Sequence, residues 1–424
     1  MLQLNYIRDN KDEVINRLNV KNFKDAQTVI EGVISLDNNR KASQKQADDC
    51  KAEANNLAKQ IGDLMKSGKR EEAEVMKART AELKGMEKSL DDKLKSIEQE
   101  IYQVLVTVPN LPHASVPKGK SPEDNEVVLQ KGEIPTLHEN AKPHWELTSQ
   151  YNIIDFELGV KLTGAGFPVY RGKGARLQRA LINFFLDRAT AKGYHEVQPP
   201  IVVNEDSGYG TGQLPDKEGQ MYHVGVDNLY LIPTAEVPIT NIYRDVILKE
   251  SDFPIQNCGY TPCFRREAGS YGKDVRGLNR LHQFDKVELV QIAHPTKSYE
   301  ILEEMRNYVA GLLEELELPY RVLRLCGGDM SFASALTYDL EVWSAAQKRW
   351  LEVSSVSNFE TFQTNRLKCR YRDEKGKTQL AHSLNGSALA LPRIVASLLE
   401  NNQTEQGIKI PKALVPYCGF DIIN

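Results

Sequence analysis

Two long runs of apolar residues at helical spacing constrain the fold of this chain more than any other feature. The first run has its apolar positions at Ala47, Cys50, Ala54, Leu57, Ile61 and Leu64. The second has them at Leu83, Met86, Leu90, Leu94, Ile97, Ile101, Val104 and Val108. Steps of three and four residues in such narrow stripes are typical of a coiled-coil seam. Residues 66–69 (KSGK) form a turn between the runs, so the sequence predicts an antiparallel helical hairpin.

The predicted hairpin is too long for a compact domain. Each helix of roughly 35 residues would extend about 50 Å at 1.5 Å per residue, so the hairpin is expected to project. Lys66, Lys69 and Arg70 near its tip could contact phosphates, but acidic residues follow at once at 71, 72 and 74. Because the charges nearly balance, a dimerisation arm or a spacer would give the same pattern.

The pattern changes after residue 108. Proline-containing polar segments at 108–113 (VPNLPH) and 121–124 (SPED) indicate a linker. Farther on, an amphipathic helix is predicted around Leu177, Leu181, Phe185 and Ala189, and a second helix over 298–316. Strands are predicted at 195–203, 286–292, 338–343 and 350–353. Their partial apolar alternation favours an antiparallel sheet flanked by helices, so the expected fold class is α+β.

Composition excludes several classes of protein. The net charge of −4 does not fit a protein that coats nucleic acid, so any RNA contact must be local. The six cysteines form no C-x-x-C pair, so no zinc is expected, and reduced thiols suit the cytoplasm. No secretory signal and no apolar run of ~18 residues is present, so no membrane association is expected. Neither G-x-G-x-x-G after a strand nor a P-loop motif occurs.

The residues best suited to chemistry lie in two segments of the C-terminal half. The first pairs FRREAG at 264–269 with HQFDKVE at 282–288, which predicts a β-hairpin around a glycine-rich loop. Arg265 offers a rigid fork of donors for phosphate or carboxylate oxygens. Glu267 is expected on the same strand face as Arg265, and Phe284 could stack on an adenine.

The second segment is SLNGSALALPR at 383–393. Gly386 and Ser387 are predicted to mark a strand end and the entry to a helix, with Arg393 near the first turns of that helix. Pro392 would cost ~3 kcal/mol deep in a helix and less near its first turn. The two segments together could hold a nucleotide triphosphate from two sides.

These segments resemble motifs 2 and 3 of the class II aminoacyl-tRNA synthetases, and more closely those of the bacterial-type seryl-tRNA synthetase family. Other strings that resemble the family are LIPTAE at 231–236, GTGQ at 210–213 and EVSSVSN at 352–358. Residues 171–200 resemble motif 1, a dimer-interface helix followed by a strand with a proline, here residue 199 or 200. The sequence departs from the family at Ala388 and Pro392, where seryl enzymes often have glycine. The resemblance covers nearly all of the chain.

The resemblance implies an organisation and a reaction. Residues 1–110 would be a tRNA-binding domain with the helical hairpin, 111–150 a linker and entry segment, and 151–424 the class II catalytic domain. The implied enzyme is a cytoplasmic homodimer that ligates L-serine to tRNA(Ser) through a seryl-adenylate, with ATP as substrate and Mg²⁺ bound through it. It would also serylate tRNA(Sec) where that tRNA is present.

The resemblance also implies roles for individual residues. Arg265 and Arg393 would be catalytic, the first at the α-phosphate and the serine carboxylate, the second at the γ-phosphate and adenine. The implied serine ligands are Thr234, Ala235, Glu236, Glu288, Asn385 and Ser387. The implied ATP contacts are Arg265, Arg266, Glu267, Leu281, Phe284, Glu352, Val353, Ser354, Ser355 and Arg393. Glu352 and Ser355 would hold Mg²⁺, the loop at 268–279 would face the tRNA acceptor end, and His282 is interpreted as structural.

Three other functions would leave a similar sequence. A synthetase paralogue could load a different acceptor, although the intact hairpin argues against a carrier-loading type. A non-catalytic RNA-binding or scaffold protein is disfavoured because Arg265, Glu352 and Arg393 are all present. A class II synthetase for another amino acid would leave the segments at 234–236 and 352–358 unexplained.

Overall fold

A computed structural model describes residues 1–216, 218–267 and 276–424, which divide into two compact units. The first unit comprises residues 1–19 and 23–109, and the second comprises residues 20–22 and 110–424. The helices of the N-terminal part of the chain are α1 (Leu4–Asp9), α2 (Lys11–Val20), α3 (Ala26–Lys66) and α4 (Arg70–Leu105). The three residues between α3 and α4 coincide with the predicted turn, and the predicted antiparallel hairpin is confirmed.

The seam between α3 and α4 follows the predicted stripes except at Met86 and at Val108, which lies beyond the end of α4. Its buried apolar members include Ala47, Ala54, Ala73, Leu83, Leu94, Ile97 and Ile101. Met86 was expected in the seam, but it is 46% exposed. Between Leu83 and Leu90, the side chain at position 87 is partly buried and the one at position 86 is exposed, so the buried face of α4 passes through position 87. An ion pair between Arg79 and Glu53 at 3.0 Å ties the two helices together beside the seam.

The second unit mixes short helices with many strands. Its helices are α5 (His144–Gln150), α6 (Phe156–Leu162), α7 (Gly172–Ala191), α8 (Glu205–Thr211), α9 (Glu236–Asn241), α10 (Ser298–Glu315), α11 (Phe362–Leu367), α12 (Leu391–Asn401) and α13 (Val415–Cys418), with 3-10 turns at Pro122–Asp124 and Glu250–Asp252. Its strands are β1 (Glu126–Lys131), β2 (Ile154–Asp155), β3 (Val169–Tyr170), β4 (His195–Glu196), β5 (Val202–Val203), β6 (His223–Val224), β7 (Leu229–Leu231), β8 (Ile247–Lys249), β9 (Ile255–Phe264), β10 (Gln283–Ala293), β11 (Tyr320–Arg324), β12 (Leu336–Ser344), β13 (Arg349–Glu360), β14 (Arg370–Arg372), β15 (Thr378–Leu380), β16 (His382–Ala390), β17 (Gln403–Thr404), β18 (Gly407–Lys409) and β19 (Ile422–Ile423).

The largest sheet has the strand order β1-β11-β12-β13-β16-β10-β9-β4. All its neighbouring strands run antiparallel except β4, which pairs in parallel with β9 at the edge. Helices α7, α10 and α12 pack against this sheet, and their apolar residues share one core with it. This arrangement confirms the predicted α+β fold with an antiparallel sheet flanked by helices.

Most predicted elements of this unit are present and longer than expected. The predicted strands at 286–292, 338–343 and 350–353 lie within β10, β12 and β13, and the helix predicted over 298–316 is α10. The amphipathic stripe at Leu177, Leu181, Phe185 and Ala189 is the buried face of α7. Strand ends were missed because pairing in the sheet continues into polar residues that carry little apolar signal.

Two local predictions were wrong. The strand expected at 195–203 is two short strands, β4 and β5, which belong to different sheets. Pro199 and Pro200 separate them, as expected for residues that cannot donate to a ladder. Gly386 and Ser387 lie in the middle of β16 rather than at a strand end, because β10 and β13 pair with this segment on both sides. None of the described helices has the length and apolar character needed to cross a membrane.

Candidate active site

The hairpin of β9 and β10 brings the first arginine segment to the centre of the site. The predicted hairpin is confirmed, with Phe264 opposite Gln283 as the last pair before the loop. Residues 268–275 of that loop lie outside the described part of the chain, and with them most of the segment expected to face the tRNA. The strand ends at Phe264, so Arg265 and Glu267 do not share a strand face as expected. Glu267 adopts a left-handed backbone (φ 50°) and its carboxylate pairs with Arg280.

Arg265 is fixed beside an aromatic ring. Its backbone N–H donates to the carbonyl of His282 at 2.9 Å, and its Nε donates to the carbonyl of Pro233 at 3.3 Å. Its guanidinium carbon lies 5.2 Å from the centre of the Phe284 ring, within the range of a cation–π contact. A half-buried cation and a half-buried aromatic ring at one place suit an anion that carries a planar ring.

A buried polar cluster lies next to Arg265, at the start of α9 and on β10. Lys286 Nζ lies 2.5 Å from Glu288 Oε2 and donates to Thr234 Oγ1 at 2.9 Å. The Thr234 hydroxyl donates to Glu288 Oε2 at 3.2 Å and accepts the backbone N–H of Glu236 at the same distance. Gln363 donates to Glu236 Oε1 at 2.6 Å. We call Thr234, Glu236, Lys286, Glu288 and Gln363 the polar cluster.

The polar cluster carries two carboxyl groups and one ammonium. Burial, and then the neighbouring charge of Glu288, raises the pKa of Glu236 to about 7, against the opposing hydrogen bond from Gln363. A site in which burial and a neighbouring negative charge oppose the ionisation of one carboxyl group is prepared to receive a further cation. A small ligand with an ammonium group would supply that charge.

Strand β16 contributes to the same place through its register. Ser387 lies opposite Glu288, and Asn385 lies two residues away on the same strand face; both side chains are buried. Ala235 is also buried, but it packs in an apolar cluster with Ile239 and Val290, so its side chain does not face the polar cluster. The structure therefore brings Thr234, Glu236 and Glu288 into direct contact and places Asn385 and Ser387 on the adjoining strand.

The second arginine lies in the first turn of α12. Arg393 Nη1 donates to the carbonyl of Glu352 at 2.7 Å and lies 3.7 Å from the Glu352 carboxylate. Its Nε donates to the carbonyl of Asn279 at 3.0 Å. Pro392 is the second residue of the helix, where its missing N–H costs no intrahelical bond, so the departure from the family at this position does not disturb the helix.

Oxygen ligands cluster on β13 near this arginine. Ser355 donates to Glu352 Oε1 at 3.2 Å, and Ser354 donates to the carbonyl of Ser387 at 2.6 Å. Asp339, opposite Ser355 on β12, is buried, and its Oδ1 makes no hydrogen bond among the described residues. Burial, and then the charge of Glu352, raises the pKa of Asp339 well above its usual range. Within the described residues no group of three or more His, Cys, Asp or Glu side chains could hold a metal ion by itself.

Comparison with known proteins decides the family. Residues 1–112 match the model of the seryl-tRNA synthetase N-terminal domain, and residues 222–402 match that of the class II tRNA synthetase core domain (G, H, P, S and T). A serine–tRNA ligase of Salinibacter ruber is 50% identical over 99% of this chain and 98% of its own length. The chain belongs to the seryl-tRNA synthetase family. It is therefore an enzyme of the class II aminoacyl-tRNA synthetases, which are ligases.

Other seryl-tRNA synthetases agree over the whole chain. A serine–tRNA ligase of Chlorobaculum parvum is 46% identical over the full length of both proteins. The crystal structure of seryl-tRNA synthetase from Pyrococcus horikoshii complexed with ATP has a TM-score of 0.94 and 33% identity, and covers 100% of this chain and 99% of that one. Both units of the chain, the hairpin included, are thus shared with seryl-tRNA synthetases.

Sequence analysis missed three residues at this seryl-tRNA synthetase site, namely Lys286, Gln363 and Asp339. Lys286 was part of the quoted strand but received no role, although the two-residue period of a strand places Phe284, Lys286 and Glu288 on one face. A lysine inside an otherwise largely apolar strand could have indicated a buried polar site. Gln363 gave no signal, because it lies 127 residues from Glu236 in sequence and reaches it only through the fold.

The other residues predicted to belong to the site make no side-chain contact described above with the two arginines or the polar cluster. Leu281 and Val353, a residue of β13, are both buried in the main core. Arg266 is exposed, and its backbone N–H donates to the carbonyl of Gln220. His282 bonds to the Tyr222 hydroxyl at 2.8 Å and stacks on Phe167, which suits a structural residue.

Proposed function

We propose that this protein joins L-serine to tRNA(Ser) in two steps in the cytoplasm. The serine carboxylate attacks the α-phosphorus of ATP and forms seryl-adenylate with release of pyrophosphate. A hydroxyl of the terminal ribose of the tRNA then attacks the seryl carbonyl, forms the ester and releases AMP. The observation that carries the proposal is the polar cluster, which offers anionic and hydrogen-bonding groups for a small amino acid directly beside Arg265. The family of the chain, and the relatives named serine–tRNA ligase, support it.

The polar cluster fits the parts of serine one by one. The ammonium group of serine would pair with Glu236 and Glu288, and the hydroxyl would bond to Glu288, with Thr234, Asn385 and Ser387 completing the enclosure. The serine carboxylate would face Arg265, which is held in place by Pro233 and His282. Since this carboxylate is already ionised at pH 7, no histidine base is needed to activate it.

ATP would lie between the two arginines. Arg265 would bind the α-phosphate, Phe284 would stack on the adenine, and Arg393 would meet the γ-phosphate and adenine from the side of α12. We assign the remaining contacts to Arg266, Glu267, Leu281, Glu352, Val353, Ser354 and Ser355. Catalysis of this kind is positioning plus neutralisation of the charge that develops on the phosphate, and fixed arginines provide both.

The residues present fit a Mg²⁺ ion that arrives with ATP. Glu352 and Ser355 offer oxygen ligands, and the buried Oδ1 of Asp339 nearby lacks a hydrogen-bond partner among the described residues. Mg²⁺ prefers oxygen ligands and commonly takes one or two carboxylates together with substrate phosphates and water. Such an ion would neutralise phosphate charge, while Arg393 and Arg265 hold the two ends of the triphosphate.

We assign residues 1–110 to tRNA binding, 111–150 to a linker and entry segment, and 151–424 to catalysis. The hairpin of α3 and α4 would recognise the long variable arm of tRNA(Ser), mainly by shape and phosphate contacts. Because such recognition reads shape, tRNA(Sec) would be serylated as well wherever it is present. We further propose a homodimer built around residues 171–200.

Serine-dependent exchange of pyrophosphate into ATP, without tRNA, tests the first step. We expect exchange with serine and a rate at least 100-fold lower with alanine, because a site built around a hydroxyl leaves buried groups unpaired when that hydroxyl is missing. Threonine serves as the second competitor, which must be excluded by shape. Equal exchange with alanine and serine, or no exchange with serine, would overturn the proposal.

A further inference from the structure

A buried histidine–carboxylate pair joins α12 to the segment that precedes β10, and it has no role in the chemistry described so far. His144, the first residue of α5, and Glu400, in the last turn of α12, are both fully buried. His144 Nδ1 lies 2.7 Å from Glu400 Oε1, and the backbone N–H of His144 donates to the same oxygen at 3.0 Å. The hydroxyl of Ser344 donates to the other oxygen, Oε2.

The other nitrogen of the His144 ring fixes its protonation. Nε2 lies 2.9 Å from the backbone nitrogen of Leu278, whose N–H donates to it. An Nε2 that accepts a hydrogen bond carries no proton, so the imidazole is neutral and its single proton on Nδ1 is donated to Glu400. Burial tends to raise the pKa of Glu400, but the hydrogen bonds from His144 and Ser344 prevail and lower it, so this carboxyl group stays ionised.

Leu278 belongs to the segment that returns from the glycine-rich loop to β10. That segment rests closely on the start of α5. Gly277 adopts a left-handed backbone (φ 65°), and a Cβ added there would lie 2.3 Å from His144 Nε2. The guanidinium of Arg276 lies 4.8 Å from the centre of the Trp145 ring. The glycine therefore permits an approach that a larger residue would block.

The same network reaches Arg393. Gln347 donates to Glu400 Oε1 at 3.2 Å and accepts from Asn279 Nδ2 at 2.9 Å. The carbonyl of Asn279 in turn accepts from Arg393 Nε at 3.0 Å. Glu400 is thus joined to two consecutive residues of the returning segment, to Leu278 through His144 and to Asn279 through Gln347. One of these two residues directly holds the arginine of α12.

We propose that His144 and Glu400 are positioning residues for adenylate formation, which fix the returning segment of the motif 2 loop and, through the Asn279 carbonyl, the guanidinium of Arg393. The inference rests on the proposed function, because it assigns Arg393 to ATP. It gives the pair an effect on ATP and none on serine, because in the described part of the chain the network makes no hydrogen bond to a member of the polar cluster. Displacement of a reacting group by about 1 Å costs on the order of 100-fold in rate.

Two amide substitutions separate the roles of the two ring nitrogens. In His144→Gln, the amide oxygen takes the place of Nε2 and keeps an acceptor for the Leu278 N–H. In His144→Asn, the amide nitrogen takes the place of Nδ1 and keeps the bond to Glu400 but loses Leu278. Gln347→Leu removes the link to Asn279 together with the hydrogen bonds that Gln347 donates to Glu400 and Ser344, but keeps the bonds of His144 to Glu400 and Leu278. Gln347 is half-buried, so the change leaves the core intact.

The experiment is serine-dependent pyrophosphate exchange by the full-length protein, with rates divided by the concentration of active sites. For His144→Asn we expect kcat/KM for ATP to fall about 10- to 100-fold, with KM for serine within twofold of the wild type. For His144→Gln we expect a smaller loss, and for Gln347→Leu a rise of about three- to tenfold in KM for ATP. A purely structural role would lower the number of active sites and leave both KM values unchanged.

The outcomes keep the two proposals apart. If the wild-type protein shows no serine-dependent exchange, the proposed function fails. If the wild type is active, the inference is overturned by either of two results: unchanged ATP kinetics per active site in Gln347→Leu and the folded His144 variants, or an equal rise in KM for serine and ATP. Should neither His144 variant fold, Gln347→Leu decides alone by the same criterion.

Discussion

At the scale of residues, the site depends on one face of one strand. Phe284, Lys286 and Glu288 alternate along β10 and supply an aromatic ring, an ammonium and a carboxylate to the same side of the sheet. Lys286 and Glu288 are almost wholly buried, so each relies on the other and on Thr234 for its polar partners. Substitutions of Lys286 or Glu288 should therefore affect serine before ATP.

Glu288→Gln tests the assignment of Glu288 to serine. The amide keeps the shape and an acceptor for Thr234 but removes the charge that faces an ammonium. Loss of a charged hydrogen-bond partner costs roughly 1.5–3 kcal/mol, so kcat/KM for serine should fall about 10- to 100-fold. Pyrophosphate exchange with serine and ATP varied separately measures this, with Glu405→Gln on the exposed surface as the matched control. Equal losses for serine and ATP would refute the assignment.

Glu236→Gln tests the carboxyl group of the polar cluster whose pKa is raised by burial and by Glu288. Its pKa rises from 4.5 to about 7 on folding, so its charged form destabilises the fold. That cost is absent below pH 4.5, grows as the pH rises, and reaches about 3 kcal/mol above pH 7, at 1.36 kcal/mol per pKa unit. In the absence of ligands, Glu236→Gln should therefore gain stability relative to the wild type between pH 5 and pH 8.

Thermal unfolding midpoints of the two proteins at pH 5 and pH 8 provide the measurement. The exposed Glu405→Gln should track the wild type at both pH values. A difference between Glu236→Gln and the wild type that does not change with pH would show that this carboxyl group titrates normally in the fold.

Residue types in a pattern predicted part of this site. The pattern of residue types singled out Arg265, whereas the family resemblance supplied Thr234 and Glu288. The structure brings Thr234 and Glu288 into contact, and Arg265 bonds to the carbonyl of Pro233, next to Thr234. Gln363 and Asp339 were missed because their roles come from tertiary contacts across the sheet, which leave no local trace. The left-handed backbone of Glu267 was missed for the same reason, since the strand was expected to continue through it.

At the scale of elements, the long helices were the most predictable part and the polar strands the least. A seam repeated over many turns fixes helix type, length and pairing together. In β16, by contrast, Gly386 and Ser387 looked like chain-turning residues, and only pairing with β10 and β13 shows that they are strand residues. Hydrogen-bonded pairing with a strand on each side therefore outweighed the local conformational preference of these two residues.

Removal of residues 30–100 tests the role of the α3–α4 hairpin. The first step uses only residues of the second unit, so serine-dependent pyrophosphate exchange should stay within about twofold of the wild type. Transfer of serine to tRNA should fall at least 100-fold, because the surface proposed to bind the tRNA is gone. Both rates are measured on the same preparation, and exchange serves as the control for folding. Charging that survives the deletion would make the hairpin a spacer or an assembly element.

At the scale of the whole molecule, the chain divides into two compact units, to which we assign different functions. The second unit holds both arginines, the polar cluster and the network of His144 and Glu400 within one antiparallel sheet and its helices. The first unit contributes a hairpin whose nearly balanced charge predicts no strong attraction to RNA on its own. Specific charging of tRNA is therefore expected to require the full chain.

The most direct measurement is the transfer of labelled L-serine to unfractionated tRNA by the full-length protein with ATP and Mg²⁺. We predict that serine becomes linked to tRNA, that the reaction needs ATP, and that Arg265→Ala abolishes it while Glu405→Gln does not. Absence of charging by folded protein in the presence of cognate tRNA would contradict the account. The chain would then be a paralogue that keeps the fold but has changed its acceptor or lost the reaction.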